Sequence, residues 1–267
     1  MRNFSTPAII LNVQPLGENN RSVTLFTPED GISYSTLYGG PKSKLRSLVS
    51  PMNAGIIYIY RDESKKSSKI TDFDVKKYHL SFRESLFKIW ASSLVAELLI
   101  KTHCAGSPSN AWTIVNGFLD GMELTDESES KIGLIRFLWR YLGLLGIRPN
   151  TRECVHCGES FMSERFAAET VAQKYRYYEM ENGFICSSCS DFSSEFGVEN
   201  QFAERAFFLG KSAITYLEAI STLSPKDVRQ IVIDEKTFLE MKQLCFYLIE
   251  QACGSRLKSL ESGIGIL

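Results

Sequence analysis

The apolar residues of this chain change period near Ser81, from two to about 3.6, and that change divides any fold the chain can adopt. Before it, Ala8–Val13, Arg21–Thr27, Ile32–Leu37, Ala54–Tyr60 and Lys69–Val75 are each rich in β-branched or aromatic residues, as strands are. Turn formers separate them: Pro15–Asn20, Pro28-Glu29-Asp30-Gly31, Gly39-Gly40-Pro41 and Asp62–Ser68. Five short strands at this spacing predict a small barrel over residues 1–80, because closing the sheet removes the edges that a short open sheet would expose. Residues 81–267 then read as a helical domain. Ser81 with Glu84 has the form of a capping box. Phe82, Leu86, Ile89, Trp90, Leu94 and Leu98 fall on one face of a helix reaching about His103. Ser107-Pro108 opens a second helix to about Met122. A third, from about Ser128, carries Ile132, Ile135, Trp139 and Leu142 and should stop at Gly146. After an irregular stretch at 150–195, helical patterns resume at about 199–222, Ser224-Pro225 opens a short helix, and Asp234 caps another to about Ala252. The fold class expected is α+β and multidomain.

The irregular stretch holds four of the seven cysteines, as Cys154-Val155-His156-Cys157 and Cys186-Ser187-Ser188-Cys189. Two C-x-x-C pairs supply the four soft ligands of a closed tetrahedral zinc site. Gly158 suits the tight turn of a knuckle, and Arg176–Met180, Glu181-Asn182-Gly183 and Phe184-Ile185 fit a β-hairpin between the pairs. The module reads as a zinc ribbon at about 150–195, inserted in the helical domain, with zinc as a structural cofactor. The competing reading is a redox dithiol. His156 is taken as a bystander, and Cys104, Cys245 and Cys253 as small apolar residues in helical patterns. With four thiolates bound, no position is left for a water, so the zinc would hold a fold together and activate no nucleophile.

Other chemistry is sparse. There is no H-E-x-x-H, His79, His103 and His156 are scattered, no G-x-S-x-G elbow occurs, and Gly39-Gly40-Pro41-Lys42-Ser43 lacks the glycines of a phosphate loop. The expectation is a protein that is not an enzyme. No window approaches the roughly 18–20 apolar residues of a membrane span, and nothing marks the N-terminus for secretion, so a cytoplasmic protein is expected. The net charge of −1 conceals an asymmetry: residues 1–80 carry eleven Lys/Arg against seven Asp/Glu, a balance of +4, which leaves −5 for the rest. Seven of those cations and two acids lie between Lys42 and Lys69, as an anion-binding surface or a solvated strand face would require.

Several stretches resemble, in order and in nearly the whole chain, the bacterial RecO family of recombination mediators and DNA repair proteins. They are Asn20–Gly31, Gly40-Pro41-Lys42-Ser43-Lys44-Leu45-Arg46, Leu48-Val49-Ser50-Pro51-Met52, the four-Cys ribbon within a helical domain, and Ser255-Arg256-Leu257-Lys258-Ser259. The resemblance implies an OB-fold barrel, a helical domain and a structural zinc. It also implies binding and annealing of single- and double-stranded DNA, work with RecR, engagement of the acidic C-terminal tail of single-strand-binding protein, and help in loading RecA, all at the nucleoid. DNA contacts would then come from Lys42, Lys44 and Arg46, with Lys65, Lys66 and Lys69 adding charge at a loop. Tyr34, Tyr38, Tyr58 and Tyr60 offer stacking faces or simply fill strand faces. Where the family often has extra cations before the Lys42 segment, this chain has Leu37-Tyr38-Gly39-Gly40, which implies weaker DNA affinity or a larger share for Lys65, Lys66 and Lys69. An acidic, apolar-ended tail calls for cations at the rim of a hydrophobic cleft, and Arg136 and Arg140, beside Phe137 and Trp139, are the candidates; both could instead merely pack the helix. The rival reading is a zinc-ribbon adaptor whose barrel binds protein.

Overall fold

A computed structural model describes residues 2–40, 42–163, 174–190, 206–263 and 265–266. Strands β1 (Arg2–Leu16), β2 (Asn20–Thr27), β3 (Gly31–Leu37), β4 (Ala54–Asp62) and β5 (Ser67–Lys77) close into a barrel in the order β1-β2-β3-β5-β4. This is a five-stranded Greek-key barrel of the OB type. All five lie where the alternation places them; β1 is much longer than Ala8–Val13 because its first half pairs with β4 and its second half with β2. The interior is apolar, with Ile10, Val23, Leu25, Leu37, Ile57 and Phe73 among its members. Leu45 and Leu48 of the short helix α1 (Lys44–Leu48), between β3 and β4, pack against it. Gly55 sits at a register shift where β4 crosses β5, and a Cβ there would strike the Asp74 carbonyl; a side chain would therefore force the strands apart.

The chain divides into two compact units, residues 1–137 with 253–267 and residues 138–252. In the first unit the barrel is joined by α2 (Leu86–Lys101), α3 (Pro108–Leu124), the first part of α4 (Glu127–Leu144) and the C-terminal α8 (Lys258–Ser262). The capping box is corrected. Residues Leu80–Glu84 form a 3-10 turn, Ser81 donates its hydroxyl to Glu123 at 2.7 Å, and the cap of α2 is Ser85, whose hydroxyl accepts from the Lys88 N–H. With the helix starting later, its buried face turns: Phe87, Trp90, Leu94 and Leu98 are inside, while Leu86 and Ile89 are 67% and 46% exposed. Cys104 is buried but not helical. His103, Cys104 and Ala105 have φ of 48°, 56° and 54°, a left-handed turn joining α2 to α3, at a cost of roughly 1–2 kcal/mol per non-glycine residue. Burial pushes its thiol up to about 12.

The second unit holds a four-stranded sheet in the order β6-β8-β7-β9, from Asn150–Cys154, Lys174–Tyr178, Gly183–Ile185 and Phe208–Gly210 numbered along the chain. With it are α5 (Lys211–Thr222), α6 (Pro225–Val228) and α7 (Glu235–Cys253). Of the helical pattern expected over about 199–222, the part Lys211–Thr222 is a helix. Phe208–Gly210 is instead a strand, paired through Tyr175↔Leu209, which buries Leu209 completely; residues 199–205 lie outside the described residues. The starts of α6 and α7 are as expected: the Ser224 hydroxyl accepts from the Asp227 N–H, and the Asp234 carboxylate from the Thr237 N–H. So is the end of α4, with Gly146 at φ 75° and its N–H donated to Gly143. Among the described residues no helix is long and apolar enough to cross a membrane.

Candidate functional site

The two C-x-x-C turns are built alike and face each other. In the first, Gly158 at φ 70° donates its N–H to the Cys154 carbonyl at 2.8 Å; in the second, Cys189 and Ser190 donate to the Cys186 carbonyl. The hairpin between them is the one expected: Tyr178 pairs with Gly183, and Asn182 in the left-handed region ties the turn to the Ile147 carbonyl through its side-chain amide at 2.9 Å. A Cβ at Gly183 would strike the Val155 side chain, so the glycine lets the hairpin lie against the first knuckle. The outcome is that the Sγ atoms of Cys154, Cys157, Cys186 and Cys189 all lie within 4.8 Å of one another, with Cys157 and Cys186 at 3.9 Å. A tetrahedral ion with metal–sulfur bonds of about 2.3 Å needs sulfurs about 3.8 Å apart, so the four residues fit such an ion and could bind it.

The electrostatics of the thiols point the same way. Burial alone would raise the Cys154 thiol, but the backbone N–H groups of Cys186, Cys157 and His156 outweigh it and bring it down to about 7. Cys186 and Cys189 are pushed up, by burial first; the Cys154 sulfur raises both, the Cys186 and Cys157 sulfurs raise Cys189 further, and hydrogen bonds from Cys189 offset part of the rise at Cys186. One negative sulfur is welcome in this pocket and further ones need a cation. His156 is exposed and packs edge-on against Tyr178, and its ring is not among the clustered ligand atoms.

The cations singled out on the barrel occupy two places. Lys42 and Lys44 are exposed at the start of α1, and Arg46 is half-buried in its last turn. Lys65 and Lys66 are exposed in the β4–β5 turn, held by Asp62, which accepts from the N–H groups of Ser64 and Lys65. Lys69 stands on β5, opposite Tyr60 on β4 and Thr36 on β3, and its ammonium lies 5.5 Å from the Tyr38 ring centroid. That cation–aromatic pair ties the residue just after β3 to β5 and is invisible to spacing arguments, since its partners are 31 positions apart. Tyr34, Tyr38 and Tyr58 are 61%, 51% and 41% exposed, so they do not fill the barrel interior.

Arg136 and Arg140 lie one turn apart on α4, on either side of the division between the two compact units. Arg136 is 4% exposed and ion-paired with Glu129, two turns earlier on the same helix. Arg140 is half-buried. Trp139 is fully buried and donates its indole N–H to the Ser221 hydroxyl at 3.0 Å, and Phe137 stacks on Phe118. The aromatic neighbours of the two arginines are thus engaged in packing.

Comparison with known proteins agrees with this architecture. Residues 1–79 match the family model described as recombination protein O N terminal, and residues 83–261 the one described as recombination protein O C terminal. Curated proteins similar to the chain include the DNA repair protein RecO of Bacillus pumilus, 23% identical over 258 residues that cover 96% of this chain and 91% of that protein. The protein of the same name from Bacillus subtilis is 25% identical over 259 residues, covering 94% and 90%. That of Chlorobium limicola is 26% identical over 184 residues, covering 67% and 69%.

Proposed function

The chain belongs to the RecO family, named for recombination and DNA repair, and on that premise we propose that it is a non-catalytic recombination mediator. In this reading it binds single- and double-stranded DNA and anneals complementary strands. It does so together with RecR and the acidic tail of single-strand-binding protein, and so helps RecA onto coated DNA in the cytoplasm. The observation that carries the reading is a closed OB-type barrel that bears exposed lysines in its loops and exposed tyrosines on its strands. An OB barrel binds unpaired strands with that combination of cations and aromatic faces.

The work proposed is done by binding. Phosphates would be met by Lys42, Lys44 and Arg46 and by Lys65, Lys66 and Lys69. Annealing needs two strands held near one cationic surface with their mutual repulsion reduced, and no bond made or broken by a side chain. Zinc, held by Cys154, Cys157, Cys186 and Cys189, would have a structural task, because four thiolates leave no open position. For the partner's tail, Arg140 and Arg136 on α4 remain the proposed cations, and Arg136 would have to exchange Glu129 for the incoming carboxylate.

The test is annealing of complementary oligonucleotides coated with single-strand-binding protein, followed with and without the chain. Faster annealing that is suppressed by salt is the expected result. A chain that leaves the rate unchanged and binds neither oligonucleotide nor duplex in dilute buffer would instead support the adaptor reading, in which the barrel binds protein.

A further inference from the structure

The OB barrel usually offers nucleic acid the outer face of its second and third strands together with the loops between strands 1 and 2 and between strands 4 and 5. In this chain the helical part of the same unit has taken much of that face. Phe26, which points outward from β2, is 0% exposed and lies against Trp112 of α3, with ring centroids 5.3 Å apart. Thr24, on the same face, is buried as well, and Gly31 at the start of β3 lies so close to α3 that a Cβ would come within 3.1 Å of Pro108. The β1–β2 loop carries Glu18 and no lysine or arginine. The β4–β5 turn, by contrast, keeps Lys65 and Lys66 exposed.

The outer face left open is the one that runs over β3, β5 and β4. Its register is set by two pairings of Lys69, to Thr36 on β3 and to Tyr60 on β4. Two residues either side of Thr36 stand Tyr34 and Tyr38, and two residues before Tyr60 stands Tyr58; these three are exposed, and Tyr60 is half-buried. Neighbouring strands lie about 4.8 Å apart, so the two tyrosine columns flank the lysine about 10 Å from each other. Asp72, opposite Tyr58, and Asp74, which Lys76 neutralises at 2.6 Å, stand toward one end, while the β4–β5 turn at the other end sets Lys65 and Lys66 against Glu63.

We propose that this β3–β5–β4 face, and not the face of β2 and β3, is the seat of an unpaired nucleic-acid strand, with bases on Tyr34, Tyr38, Tyr58 and Tyr60 and a phosphate at Lys69. The inference rests on the nucleic-acid reading of the barrel and adds to it the path and the strand class. A flat aromatic surface takes unstacked bases, whereas in a duplex the base faces are already covered by their neighbours. The lysine end of the face receives the backbone, since Asp72 repels it from the other end.

The experiment uses the full chain and a fluorescent oligothymidylate, alone and as a duplex with its complement, in anisotropy titrations at low salt. It also uses the same oligonucleotide carrying 5-iodouracil, crosslinked by ultraviolet light and located by mass spectrometry. The variants are Tyr34→Ala/Tyr60→Ala and, as the conservative form, Tyr34→Phe/Tyr60→Phe. Crosslinks are expected in the peptides that hold Tyr34, Tyr38, Tyr58 and Tyr60. The alanine variant should lose about tenfold or more in affinity for the single strand, the phenylalanine variant should retain it, and duplex affinity should stay within about twofold. Crosslinks confined to β2 or the helices, or single-strand binding unchanged in the alanine variant, overturn the proposed path while leaving the barrel a nucleic-acid binder. Absence of any binding by the unsubstituted chain overturns both.

Discussion

Glu97 gathers contacts from residues 161 and 162 positions away. Its carboxylate accepts from the Lys258 and Ser259 N–H groups at 3.0 and 2.8 Å and from the Ser259 hydroxyl at 2.7 Å, and it pairs with Lys101. Beside it Trp90 donates to the Ser259 carbonyl at 2.6 Å, and Leu257 is fully buried, so the Ser255–Ser259 stretch is a docked turn on α2. Burial alone would raise the Glu97 carboxyl, but these donors hold it below its ordinary 4.5. The sign follows: a carboxylate favoured by the fold contributes its stabilisation above about pH 4.5 and loses it as pH falls through the lowered native value. Glu97→Gln should cost about 1–2 kcal/mol at neutral pH and flatten the acid limb. Urea titrations at a series of pH values check this, and equal acid sensitivity in both proteins would refute it. Arg136 calls for similar care. Removing one partner of a nearly buried pair, with Glu129 one-third exposed, should cost about 1–3 kcal/mol in Arg136→Ala. A loss of partner binding in that variant means little unless its thermal midpoint is measured beside it. Neither role could be read from spacing, because Glu97 and Arg136 look like ordinary charges on helical repeats until their surroundings are known.

At the scale of elements, the ribbon was the most legible part. Two thiols three positions apart, a glycine after the first pair and a hairpin between them are local facts, and a local turn needs no distant partner to form. The barrel strands were legible for the same reason, each carrying its own alternation and turn residues. Helix starts were less so: Ser81 and Ser85 both look like caps, and the choice was made by Glu123, which captures Ser81 from a different helix. The strand Phe208–Gly210 was hidden because its pairing partner is Tyr175, far back in the chain. The ribbon also carries a metal prediction. Thiols must lose their protons to bind, and while Cys154 is set near 7, Cys186 and Cys189 are raised, so metal affinity should climb steeply with pH and binding should release protons. Titration with cobalt should give a tetrahedral thiolate spectrum that fades on acidification, and Cys157→Ser should weaken it. A strong chelator is expected to lower the thermal midpoint; an unchanged midpoint would deny the metal a structural task.

For the whole molecule the charge distribution matters more than the total. The positive balance of the first eighty residues can act on a polyanion even though the chain as a whole is at −1. Each phosphate contact removed should reduce the slope of log affinity against log salt by roughly 0.7–0.9. The variant Lys42→Glu/Lys44→Glu/Arg46→Glu should therefore bind DNA with a slope shallower by about two or more while remaining folded, as circular dichroism would report. The same slope as the unsubstituted chain would place the phosphate contacts elsewhere. What can be derived from residues in order is whatever depends on near neighbours: strand and helix periods, knuckles, the four cysteines that the fold then clusters, and a basic stretch. The burial of Arg136, the docking of the C-terminal turn on Glu97, the occlusion of β2 by Trp112 and the opening of the tyrosine face all wait on folding. Each depends on groups that only packing brings within a few ångströms, and burial and hydrogen bonding are properties of those encounters, absent from the order of residues along the chain.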